Sequence, residues 1–148
     1  MSAIAKEAAD AIVTIIQALS LSGMTSSNIV ARKIPTSRNL TDPHITVSPA
    51  TESEEDGTTG ADDWIFPFTV AICKATNQAL ELDDTFMQWR ETIRHAFHNK
   101  KPATLVSALT PPLKTVRVEN GPILDMQNFQ ANQDVSTLTI NVIVRRVR

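Results

Sequence analysis

The side chains that could do chemistry are few and lie far apart in the sequence. His95 and His98 are three residues apart on a predicted helix and can share one face of it. Zinc sites combine such histidines with cysteine or carboxylate ligands at recognised spacings, and none accompanies this pair. The two histidines fit a helix C-terminus, whose dipole favours cations, better than a metal site. We therefore predict no metal ligands.

Cys73 is the single cysteine and lies in an apolar segment. A single cysteine excludes an intrachain disulfide, and a buried one behaves as a small hydrophobic side chain. Catalysis by Cys73 would require a histidine from a distant part of the sequence to pack against it. The sequence contains neither a glycine-rich phosphate loop nor a serine-elbow motif. We predict no catalytic residues, no cofactor and no enzyme activity; the alternative is a small enzyme whose non-local site uses His95, His98 or Cys73.

Charge is segregated along the chain. Residues 51–63 contain six carboxylates but no basic and no large apolar residue. A segment this polar buries too little surface to offset its ordering entropy, so we predict a flexible acidic loop or hairpin tip at 51–63. The spacing of its carboxylates does not match a calcium-binding loop. The acidic residues are Glu52, Glu54, Glu55, Asp56, Asp62 and Asp63, and the arginines at the C-terminal end are Arg145, Arg146 and Arg148.

These nine charged residues form the predicted interface. Because six of the 16 carboxylates lie in 51–63, the rest of the chain has 14 basic residues against 10 acidic ones. Segregated opposite charges on one small protein suit head-to-tail contacts between identical subunits, and such contacts can close a ring. Nucleic-acid binding by the C-terminal arginines, together with Arg32, Lys33 and Arg38, is the rival use. The aromatic side chains that interleave with basic ones in single-strand binders are missing.

Two segments of alternating polarity must position these charges. In the last part of the chain, apolar residues occupy every second position from Leu138 to Val144, which predicts a long strand with one buried face. Residues 64–74 form a second long strand, with the aromatic residues on one face. Pro67 lies within it and cannot donate a ladder hydrogen bond, which predicts an edge position or a nearby bulge.

Two amphipathic helices complete the pattern. Apolar residues at three- and four-residue spacing predict helices over 2–21 and 83–99, the first capped by Ser2 and stopped by Gly23. Shorter strands are predicted over 28–34, 44–48 and 113–119. The order α-β-β-β-α-β-β predicts an α+β fold, with a mainly antiparallel sheet of about five strands packed with two helices.

The bulk composition fits one soluble domain spanning 1–148. A chain of 148 residues can bury a core without disulfides, and its net charge of −2 favours neither nucleic acid nor an acidic partner. The N-terminus lacks the basic start and cleavage site of a signal peptide, and the apolar runs are too short to span a bilayer. We expect an intracellular protein with no membrane partner.

Four segments resemble small neck or tail-completion proteins of tailed bacteriophages and prophages, of the tail-terminator type. They are residues 30–35 (Val-Ala-Arg-Lys-Ile-Pro), 42–49 (Asp-Pro-His-Ile-Thr-Val-Ser-Pro), 118–125 (Val-Glu-Asn-Gly-Pro-Ile-Leu-Asp) and 138–142 (Leu-Thr-Ile-Asn-Val). The resemblance implies an α+β virion subunit, assembled in the host cytoplasm, that forms a ring, expected to be a hexamer, at the head–tail junction.

The resemblance also implies the partners of such a ring. They are the tail tube protein, whose polymerisation it stops, and the head-connector or stopper protein that it joins, with DNA passing through the lumen. The acidic segment is expected to face a partner or this channel. The resemblance implies no catalytic residue and no cofactor. The alternative within the same particle is another ring, namely a stopper, an adaptor or a tube protein.

Overall fold

The two alternating segments form the longest strands of the fold, in a computed structural model. The structure describes residues 3–33, 42–50, 53–56, 61–75, 84–109, 112–123 and 133–147. The helices are α1 (Ile4–Ala18), α2 (Asp84–Phe97) and α3 (Ala103–Ala108), with a 3₁₀ turn at Ser26–Asn28. The strands are β1 (Ile29–Ala31), β2 (His44–Pro49), β3 (Ser53–Asp56), β4 (Ala61–Ala75), β5 (Leu113–Asn120) and β6 (Gln133–Val147).

The strands form one six-stranded sheet in the order β1-β2-β4-β6-β5, with β3 paired to β4. β1 runs parallel to β2, and every other pair is antiparallel. The predicted α+β class is confirmed, and the sheet is mixed. β3 and α3 are additional to the predicted order, because β3 has no apolar alternation and α3 is too short to display a helical period.

The core lies between one face of the sheet and the helices. Side chains alternate along a strand, so the even-numbered residues of β4 and β6 share this face. Each large apolar side chain buried here contributes about 1.5–3 kcal/mol relative to an exposed position. The buried residues at the centre of this core include Phe66, Phe68, Val70, Ile72, Leu138, Ile140, Val142, Val144, Ile12, Ile16, Phe86, Trp89, Ile93 and Phe97.

The turn after α1 differs from the predicted one. The helix ends at Ala18, and Ser20 takes the left-handed conformation with φ 51°, so the prediction that Gly23 stops the helix is wrong. Gly23, with φ 80°, turns the chain later. The Trp89 indole N–H then donates to the Ser22 carbonyl at 2.8 Å. This contact attaches the turn to α2.

Pro67 lies within β4, which is a central strand, so the predicted edge position is wrong. The Pro67 carbonyl accepts a hydrogen bond from the Ala50 N–H at 2.9 Å. The nitrogen of Pro67 faces the same side of β4, since both backbone groups of a strand residue point the same way. On that side β2 ends at Pro49 and β3 begins only at Ser53. The register on β4 shifts by one residue between β2 and β3, so the other predicted alternative, a nearby bulge, fits the structure.

Arg90 connects α2 to the start of β6. Its side chain lies on the buried face of the helix and is 7% exposed. Its Nη1 donates to Ser136 Oγ and to the Thr137 carbonyl, both at 2.7 Å, and Nη2 donates to the Gly121 carbonyl at 2.8 Å. Burial, followed by the nearby charge of Arg94, lowers the pKa of Arg90. Backbone carbonyls and a hydroxyl replace the water that the guanidinium loses.

Gly121 is required for this connection. Its N–H donates to the Thr137 carbonyl at 3.1 Å. A Cβ at this position would lie 2.3 Å from Thr137 Oγ1 and 2.8 Å from that carbonyl oxygen. Any other residue would push the turn away from β6 and from the guanidinium of Arg90.

Replacing Arg90 by lysine should lower stability substantially. The substitution Arg90→Lys keeps the charge, but an ammonium group cannot reach all the acceptors that the guanidinium bonds. We expect the free energy of unfolding to fall by about 2 kcal/mol, measured by urea denaturation. Arg94→Lys is the control, because Arg94 is exposed and its Nε donates to Asn120 Oδ1 at 3.2 Å. Equal losses in the two variants would contradict this role of Arg90.

Candidate assembly surface

The acidic segment and the cationic end of the chain meet in one three-stranded ribbon. Here β3 and β6 lie on either side of β4, with Asp62 in register with both Asp56 and Arg146. One residue further along, Asp63 is in register with Glu55 and Arg145. We call residues 53–56, 61–65 and 143–147 the charged ribbon. Opposite charges that are 82 residues apart in sequence, those of Asp63 and Arg145, are thus neighbours in one subunit.

Seven of the nine predicted interface residues lie in the charged ribbon. For β3 and Arg146 the structure describes the backbone, so their placement rests on strand register. Two of the nine, Glu52 and Arg148, lie outside the described residues. Their joint role in an interface stays a prediction.

The acidic segment is not a loop throughout. Its described part consists of β3 and the beginning of β4, so residues 53–56 and 61–63 are strand. Residues 51–52 and 57–60 lie outside the described residues. Backbone ladder bonds to β4, rather than apolar burial, stabilise β3. Residues 53–56 and 61–63 are therefore paired strands, and not the flexible loop or hairpin tip predicted for them.

Asp63 forms an ion triad with two basic side chains. Its carboxylate bonds Lys114 Nζ on β5 and lies 3.4 Å from Arg145 Nε on β6. The hydrogen bond from Lys114, with the charges of Lys114 and Arg145, lowers the pKa of Asp63 against the opposing effect of desolvation. Asp63 is 6% exposed, so its charge is compensated mainly inside the subunit. Asp63 and Arg145 therefore have an intrachain role.

Lys114 was missed by the sequence analysis. It is 51 residues from Asp63, and neither neighbourhood contains a local motif that joins them. The two meet because β5 pairs with β6 and β6 pairs with β4. Only the strand order could have revealed this contact.

A shallow groove of about 290 Å³ runs beside the triad, on the sheet face opposite the helices. Its lining combines apolar side chains with acidic and basic ones, and the carboxylate of Asp63 is already paired with Lys114 and Arg145. The lining residues are Asp63, Ile65, Pro67, Lys114, Thr115, Arg117, Glu119, Asn141 and Ile143.

The two helix histidines have structural surroundings. His98 Nδ1 accepts the backbone N–H of Val118 at 3.1 Å, and the Asn99 N–H donates to the Val116 carbonyl at 2.8 Å. The end of α2 therefore covers part of the outer edge of β5. His95 is exposed on α2. Within the described ranges, no group of three or more His, Cys, Asp or Glu side chains could hold a metal ion.

Cys73 lies on the sheet face opposite the helices, in a small buried cluster with Ala71 and Val135. His44 is in register with it on β2, so a histidine from a distant part of the sequence does lie beside the thiol. However, Cys73 is 0% exposed, and burial raises its pKa to about 12. A protonated, inaccessible thiol is a poor nucleophile. The helix histidines lie on the other side of the sheet.

Arg32 does not join the arginines of β6. Its N–H bonds the Val47 carbonyl at 2.9 Å, and Val47 is in register with Val70, which is in register with Leu138. Arg32 therefore lies level with the middle of β4, and β2 and β4 separate it from the strand that carries Arg145. Arg38 is outside the described residues. None of the described helices is long and apolar enough to cross a membrane.

The thiol of Cys73 should be unreactive in the native protein. Burial excludes the reagent and keeps the sulfur protonated at neutral pH. We expect no reaction with Ellman's reagent until the chain is unfolded in urea. Ser107→Cys, at an exposed position of α3, provides a reactive control. Rapid modification of Cys73 in the native wild type would contradict this prediction and favour the alternative of a small enzyme that uses this thiol.

The ion triad should make stability depend on pH in acid. The pKa of Asp63 is below its ordinary value of 3.8 in the folded chain. Ionised Asp63 therefore stabilises the fold above about pH 4, and this contribution is lost as the pH falls through the lowered pKa. Urea unfolding at a series of pH values should show a larger acid loss for the wild type than for Asp63→Asn. Glu91→Gln, an exposed carboxylate change, should behave like the wild type; an identical pH profile for Asp63→Asn would contradict the triad's role.

The complete fold is shared with a solved structure. The chain is similar to a protein chain in the structure described as the virion of native gene transfer agent (GTA) particle. The TM-score is 0.62 at 12% sequence identity, and the match covers 99% of this chain and 100% of the other. The sequence matches no protein family and no curated protein. At this identity the likeness shows a common fold.

Proposed function

We propose that the protein is a structural subunit of a tailed-phage-like virion, which forms a ring at the head–tail junction. There it ends the tail tube and joins it to the head connector. The observation that carries the proposal is the fold likeness to a chain of a gene transfer agent virion over nearly all of both chains. The four tail-terminator-like segments support the position at the junction.

The geometry of the long strands also favours assembly. β4 and β6 stay paired over 15 residues each, a length of about 50 Å. β5 accompanies β6 only as far as Val144, so the charged ribbon extends beyond it. The edge of a strand is a template on which another chain can add a strand. Neighbouring subunits in a ring would provide that chain.

The proposed partners follow from the position in the particle. The ring, proposed to be a hexamer, would contact the tail tube protein on one side and the head-connector or stopper protein on the other. DNA would pass through its lumen, where carboxylates repel phosphates and let the duplex slide. The protein would act without a cofactor, in the virion.

A second candidate is another ring of the same particle, namely a stopper, an adaptor or a tube protein. The fold likeness to a virion chain favours this class as well. The tail-terminator-like segments favour the first candidate. Labelling of intact particles distinguishes them, because a tube protein occurs along the whole tail and a terminator only at its head-proximal end.

The purified protein should form rings of about six subunits. Light scattering coupled to size exclusion measures their mass, and negative-stain imaging shows their shape. Antibodies against the chain should label the neck of particles from the producing cells. A protein that is monomeric at every concentration and absent from purified particles would overturn the proposal.

A further inference from the structure

The two outer edges of the charged ribbon are chemically opposite. On one side is β3, with the sequence Ser-Glu-Glu-Asp, and on the other is the end of β6, with Arg145 and Arg146. Among the described residues, β3 pairs only with β4, and β5 reaches along β6 only to Val144. The acidic edge and the basic edge thus lie at the same end of the sheet.

The other sheet edges are partly covered by the subunit's own groups. The outer side of β5 bonds the end of α2 through His98 and Asn99. The Ile29 carbonyl of β1 accepts a hydrogen bond from Gln17 Nε2 at 3.2 Å. Within the described residues, the subunit's own groups thus occupy part of the outer edges of β1 and β5.

The backbone groups on the two ribbon edges match each other. The Arg145 N–H bonds the Pro112 carbonyl, on the β5 side of β6, at 2.9 Å. Because backbone groups alternate along a strand, the Arg145 carbonyl and the Val147 N–H point to this same side of β6, away from β4. The backbone groups of Pro67 point to the side of β4 on which β3 lies, and by alternation so do those of Ile65 and Asp63. Their partners on β3, Ser53 and Glu55, therefore point toward β4. Glu54 and Asp56 consequently direct their N–H and C=O groups outward, away from β4.

These groups fit a parallel ladder. In a parallel pair, one residue donates to the carbonyl before its partner and accepts from the N–H after it. Glu54 or Asp56 of one copy could pair in this way with Arg146 of the next copy. Its N–H would donate to the Arg145 carbonyl, and its carbonyl would accept from the Val147 N–H. Because β3 and β6 both run antiparallel to β4, they are parallel to each other, as a rotated copy requires. In either register an acidic residue is paired with Arg146.

We infer that the subunits of the ring join by sheet extension, with β3 of one copy added in parallel to the 145–147 edge of β6 in the next copy. The inference rests on the proposed ring and identifies its contact. Unlike edges meet, so the contact is heterologous, and repetition by rotation closes a ring. Like edges, both acidic or both basic, repel each other.

Disulfide trapping tests the contact. Within one chain, Asp56 and Arg146 lie on opposite sides of Asp62, each one strand away from it. The backbones of these two residues are therefore about 10 Å apart, which is too far for a disulfide. The variants Glu54→Cys with Arg146→Cys and Asp56→Cys with Arg146→Cys represent the two registers. After mild oxidation of assembled protein, one of them should give a ladder of linked subunits up to the ring number on a non-reducing gel.

The controls use strand alternation and the native cysteine. Glu55→Cys with Arg146→Cys places the new thiols on opposite sheet faces, and the wild type contains only the buried Cys73. Neither should give a ladder. Rings that are visible by negative stain but yield no ladder in either register would overturn the inferred contact and leave the proposed function intact. Equal ladders in all three double variants would also overturn it, and absence of any ring would overturn the proposed function itself.

Discussion

The structure depends on the single antiparallel register between β4 and β6. Fifteen residue pairs keep this register, from Ala61 opposite Val147 to Ala75 opposite Gln133. Because side chains alternate, the register directs the aromatic residues of β4 to the helices and Asp63 to the opposite face. A slip of one residue would exchange these faces and bury the ion triad's carboxylate in the core. The hydrophobic core and the charged ribbon are therefore two consequences of one alignment.

The outer edges of the sheet are of two kinds: some are bonded by other groups of the subunit, and others carry charged residues. Where the helices are near, side chains and helix ends bond the outer strands, as His98 does for β5 and Gln17 does for β1. The charged ribbon carries charge on its edges instead. Charge on an edge strand normally prevents association. Here the two edges carry opposite signs, so like edges repel and unlike edges attract. The arrangement suits a specific head-to-tail contact better than indiscriminate aggregation.

Sequence periodicity predicted the elements that bury apolar faces. Residues 64–74 and the alternation from Leu138 to Val144 identified β4 and β6, and the apolar stripes identified α1 and α2, because burial imposes a period on the sequence. β3 was not predicted as a strand, because its ladder with β4, and not its own side chains, makes it one. The sequence did not predict the partners of Lys114 and Arg90 either, since these partners lie 51 and 46 residues away. Such contacts follow from strand order, which the sequence does not display.

Strand alternation also separates the charged residues of the ribbon into two sets, one on each face of the sheet. From the sequence, the opposite charges were expected to meet between subunits. In the structure, Asp63 and Arg145 meet within the subunit on the face that also carries Lys114, at the end of the sheet where β2 no longer accompanies β4. There the triad holds the register of β4, β5 and β6. Arg146, Glu54 and Asp56 share the other face by register. The internal pair can therefore fix the ribbon, while the alternate residues are the ones that the proposed contact with a neighbouring copy would use.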